Sequence, residues 1–145
     1  VYLAGHLWHH RKTRQEIVVV VTAIMLGFIG DSLMYASGWL TTPPGMARIE
    51  HAPAWLVALW AALGATVRHA LGWLRDRLYL AALLGALSGP AAYHAGAVFG
   101  ALSIDGAMAT IAVGIEYALA LPVLIWVAHR QPLRKVKSPH QERNG

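Results

Sequence analysis

The chain contains no cysteine. That removes disulfides, thiolate catalysis and cysteine metal sites together. Charge is scarce as well: 13% of the 145 residues are Asp, Glu, Lys or Arg, about half the share in a typical soluble domain. The three lysines, Lys12, Lys135 and Lys137, all lie outside the apolar runs. Retinal binding through a membrane lysine is thereby excluded within these residues, and no other cofactor is implied. The net charge of +5 is held in short clusters between apolar runs. Such clusters mark cytoplasmic loops rather than a nucleic-acid groove, so no nucleic-acid partner is expected.

What is abundant is apolar surface, 57% of all residues. A helix rises about 1.5 Å per residue, so roughly 20 apolar residues cross a bilayer's hydrocarbon core. Residues 17–36, 53–74, 78–102 and 107–128 meet that length. The expected fold is therefore all-α, a polytopic integral membrane helix bundle with four full transmembrane helices. The apolar start VYLAGHLW runs into the basic RKTR and reads as the end of an earlier helix, with further sequence upstream of Val1. Pro43 and Pro44 end the first span, and Pro90 and Pro122 each remove a hydrogen bond inside theirs, which predicts bends.

Lys and Arg number three in RKTR, two in Arg75 and Arg77, and five after Ala128. Residues 37–52 hold only Arg48, and residues 103–106 hold none. This alternation satisfies the positive-inside rule and puts the basic tail 130–145 in the cytoplasm of a multi-pass protein of the bacterial inner membrane.

Orientation converts sequence position into depth. Asp31 lies about 14 residues into its helix, roughly 20 Å from the cytoplasmic side. Trp60, Tyr93, His94 and Glu116 fall in the same outer-half layer. Ionisable residues inside a membrane face protein or water rather than lipid, so Asp31 and Glu116 are candidate catalytic acid and base, with Tyr93 as hydrogen-bond donor. Trp60 and His94 are candidate ligand-binding residues. The plainer alternative is that the two acids hydrogen-bond across helices or pair with Arg68. Arg68 and His69 sit in the inner third. Arg68 snorkels to headgroups or binds an anionic ligand, and His69 either bonds a neighbouring helix or joins that site. Gly27 and Gly30 beside Asp31, and Gly85, Gly89, Gly96 and Gly100 in the third span, form small-residue faces for close helix packing. His6, His9 and His10 have the HxxHH form of a histidine box. Desaturases carry several such boxes and this chain one, so an interfacial cluster is the plainer reading and metal only a candidate.

The run APAWLVALWAALGATVRHALGWL, the GPxxYxxG pattern of Gly89, Pro90, Tyr93 and Gly96, and the Gly30–Asp31 pair resemble a bacterial inner-membrane family catalogued only as domain of unknown function 2878. The resemblance implies a small polytopic bundle. Members are often encoded near lipid-modifying enzymes, which implies a role in membrane lipid or fatty-acid metabolism but identifies no catalytic residue. The function expected from residues and resemblance together is to bind, and in a stronger form to modify, a lipid or fatty acyl ligand in an outer-half intramembrane cavity. Membrane lipids are the expected partners. The alternatives are a non-catalytic accessory subunit with a membrane protein partner or a homo-oligomer, and a small transporter.

Overall fold

The computed structural model describes residues 2–130, with side chains from Arg14 onward. Its helices are α1 (Tyr2–Ser37), α2 (Ala54–Ala70), α3 (Leu78–Val98) and α4 (Gly106–His129). A short 3-10 turn, Gly72–Leu74, follows α2. The expected break at RKTR is absent: α1 runs unbroken through it. No proline or glycine lies between Gly5 and Gly27, and Arg, Lys, Gln and Glu are good helix formers. The apolar start is thus the first turns of α1, not the end of a separate helix. The basic tail from residue 131 lies outside the described residues.

Helix ends follow local chemistry. Gly38 takes φ +81° just past α1, the left-handed conformation that stops helices and that glycine adopts without strain. The third helix ends at Val98 rather than at 102. There Gly100, at φ +72°, donates its N–H to the Ala97 carbonyl at 3.0 Å and Ala101 donates to Gly96 at 2.9 Å. That pair of bonds is a Schellman stop. Gly100 therefore belongs to a turn and not to the packing stripe assigned to it.

Two short segments expected to be plain loop pair instead as strands, β1 (Leu40–Thr41) and β2 (Ser103–Ile104). They run antiparallel with Leu40 opposite Ile104, and Asp105 donates its backbone N–H to the Trp39 carbonyl at 2.9 Å. This clip ties the end of α1 to the α3–α4 connection.

α1 packs chiefly on α2, and α3 on α4. Two buried clusters result. One lies next to the clip and includes Met34, Tyr35, Leu40, Leu56, Tyr93, Leu102 and Val113. The other fills the far half around Val19, Val67, Leu74, Leu124 and Ile125. Outside the bundle the surface is apolar too: Leu33, Leu59, Leu87 and Leu119, one from each helix, are all more than half exposed. Two helical stretches, Arg14–Ser37 and Gly106–His129, are long and apolar enough to cross a membrane. Both expected prolines sit within continuous helices, Pro90 in α3 and Pro122 in α4. The Ala86 carbonyl that Pro90 leaves without its helical donor faces the α4 backbone at Gly114.

Candidate functional site

Asp31 sits on the inward face of α1 and is completely buried. Burying a carboxyl without partners is expensive, so its surroundings must supply donors. They do: the indole Nε1 of Trp60 donates to Oδ2 at 2.8 Å, and the Tyr93 hydroxyl donates to Oδ1 at 2.5 Å. One acid thus ties together α1, α2 and α3. These contacts require bare backbone nearby. A Cβ at Gly27 would fall inside the Trp60 ring, so Gly27 is what allows the indole to lie against α1 and reach Asp31.

Glu116 comes to the same layer from α4. Its carboxyl rests on Gly30, where any Cβ would collide with Oε1, and it lies within electrostatic reach of Asp31. Unlike Asp31, it has no donor: Oε1 and Oε2 are both buried, and neither has a hydrogen-bond partner among the described residues. Tyr117 completes the layer. Its ring lies 4.7 Å from that of Trp60 in a tilted pair and 5.9 Å from that of Tyr93, edge to face, both within the preferred range for aromatic pairs. Gly85 and Gly89 of α3 accommodate it: a Cβ at Gly85 would strike the Tyr117 carbonyl, and one at Gly89 its ring. Sequence reasoning missed Tyr117. The available signal was its position beside Glu116 opposite two glycines one turn apart.

The remaining candidates lie elsewhere. His94 is exposed on α3, and its Nε2 is 3.0 Å from Thr110 Oγ1 of α4. Arg68 donates to Gln15 Oε1 of α1 at 3.2 Å, so it is partner neither to Asp31 nor to Glu116. His69 is exposed. The metal candidate His6, His9 and His10 lies outside the described side chains. Among the residues with described side chains, no three His, Cys, Asp or Glu are placed to hold an ion. The stripe of four glycines divides: Gly85 and Gly89 seat Tyr117, whereas at Gly96 an added Cβ would meet Leu102 only in ordinary contact, at 3.8 Å.

A second feature lies on the far side of α4 from Glu116. Ala86, Leu87, Pro90, Thr110, Ile111, Gly114, Ile115 and Ala118 line an open groove of about 480 Å³ between α3 and α4. Its walls are apolar except at the clip end, where the Thr110 hydroxyl meets His94. The groove is thus oily along its length with one hydrogen-bonding pair at its mouth.

A search of curated proteins and one of solved structures find no match to the chain. A family model described as a protein of unknown function, DUF2878, matches residues 1–123. That span takes in all of α1, α2 and α3, every residue of the buried layer and both walls of the groove, and the chain belongs to the DUF2878 family.

Proposed function

We propose that the protein is a multi-pass membrane protein, with all four helices crossing a bacterial inner membrane and the C-terminus cytoplasmic, that binds one acyl chain of an outer-leaflet amphiphile. The groove between α3 and α4 is the seat of the chain, and His94 with Thr110 meets the polar head. The groove carries this reading, because its polarity runs as an amphiphile's does: apolar from Ala118 to Ile111 and hydrogen-bonding at the mouth. From Thr110 to Ala118 the helix advances about 12 Å, a reach suited to the upper part of an acyl chain in one leaflet. The outward leucines of all four helices support the membrane setting, since a solvated bundle would turn polar residues outward.

On this reading the ligand does not enter the Asp31 layer, where Trp60 and Tyr93 already occupy the carboxyl. Asp31 is then a structural clasp, and its assignment as catalytic acid or base lapses. The small groove residues Ala86, Gly114 and Ala118 would equally admit a partner helix, which is the accessory-subunit reading.

The deciding experiment is purification in mild detergent, lipid analysis of the bound fraction, and photocrosslinking with a diazirine fatty acid. Wild type is expected to retain a stoichiometric lipid and to crosslink at Leu87, Ile111 and Ile115. Ala118→Phe, which fills the groove, is expected to lose both. Crosslinks at Leu33, Leu59 and Leu119, which lie outside the groove, as strong as those at Leu87, Ile111 and Ile115 would defeat the proposal. A stoichiometric protein partner lost on Ala118→Phe would favour docking instead.

A further inference from the structure

One buried group lies outside the groove and makes no hydrogen bond among the described residues. Glu116 places both carboxyl oxygens out of reach of solvent with no donor among the described residues. A buried polar group left without a partner costs about 1–3 kcal/mol, and more when charged. Glutamine at this position would bring its own donor toward Asp31, and leucine would remove the desolvation altogether. What a carboxyl has that both lack is the ability to gain and lose a proton.

We propose that Glu116 is an exchangeable-proton site of the bundle, binding and releasing one proton beside Asp31. Its carboxyl lies against Gly30 of α1, and the titratable groups within electrostatic reach of it are Asp31 from α1, Tyr93 from α3 and Tyr117 from its own helix, while α2 contributes the neutral indole of Trp60, bonded to Asp31. None of these is a cation. Arg68 is engaged with Gln15, and His94 with Thr110 on the opposite side of α4. The charge on Glu116 is therefore countered by no basic group among the described residues of the layer. Its appearance acts directly on Asp31, in a setting where water screens little.

A metal ion fits poorly as the occupant. Hard cations gather about six oxygen ligands, Asp31 already accepts a hydrogen bond at each oxygen, and no third ligating residue is placed to help among those described. The step balances without any redox partner. An O–H bond forms at Glu116 as an O–H bond of a hydronium ion breaks and releases water, and release is the reverse. This site stands independently of the groove. It is the element that a proton-coupled carrier would require.

The test uses the whole chain in lipid nanodiscs. A hydrophobic carbodiimide adds only to a protonated carboxyl and leaves a mass tag on its peptide. Labelling of wild type at Glu116 that falls as pH rises supports the proposal. So does an infrared carboxylic-acid band that shifts in D2O and is lost in Glu116→Gln but kept in Glu116→Asp. The carbodiimide measurement needs no variant and decides the matter even if Glu116→Gln fails to fold. Absence of a Glu116 adduct at every pH, with no acid band sensitive to the substitution, overturns it.

Discussion

The two ends of the buried layer hold the same chemical group in opposite circumstances. Asp31 is wholly enclosed and takes one donor from α2 and one from α3. Glu116 is enclosed at its oxygens and takes none among the described residues. Each depends on a glycine of α1, Gly27 admitting the donor that serves Asp31 and Gly30 admitting the Glu116 carboxyl itself. The difference teaches that burial of an acid does not by itself make it a structural tie. Only the Asp31 end joins helices through hydrogen bonds. The Glu116 end occupies space in the interior without contributing such a bond.

Substitutions should separate these ends, read as thermal unfolding midpoints of the purified protein in detergent. Asp31→Ala should cost most, because it orphans a buried indole N–H and a buried phenol O–H at about 1–3 kcal/mol each. Tyr93→Phe keeps the ring and its edge contact with Tyr117 and removes one bond, so a loss of about 0.5–1.5 kcal/mol is expected. A double-mutant cycle with Asp31→Asn should show that loss to be coupled to Asp31. Glu116→Leu keeps the volume and removes a carboxyl with no partner. It should leave stability unchanged or raise it by up to about 1–3 kcal/mol, since it removes a buried group without a donor among the described residues and replacing buried charged groups by apolar ones is often neutral or favourable. A fall at Glu116→Leu as deep as that at Asp31→Ala would erase the contrast.

Much of this was legible in the sequence for a simple reason: long apolar runs fix helices, and short connections make successive helices run in opposite directions. Counting residues along each run is enough to bring Asp31, Trp60, Tyr93 and Glu116 to a common level, where the structure also brings them. Counting could not reveal which acid receives the donors. That depends on rotation about each helix axis, and the sequence periodicity is nearly flat in α1, α3 and α4, where apolar residues lie all round the helix. His94 shows the same blindness: its depth matches the layer, but its rotation carries it out to Thr110. The clip was invisible because strands of two residues have no alternation to read. The continuity of α1 was obscured because RKTR resembles a loop by charge while its residues favour helix by propensity.

The small clip between Leu40–Thr41 and Ser103–Ile104 has one more consequence. It couples the α1–α2 pair to the α3–α4 pair by main-chain bonds at one rim, while at the opposite rim the Gly72–Leu74 turn carries the chain directly from α2 into α3 beside the side chains of Val67, Leu124 and Ile125. Breathing between the pairs is therefore held at both ends, by a covalent strap at one and the paired strands at the other, with the Asp31 clasp between them.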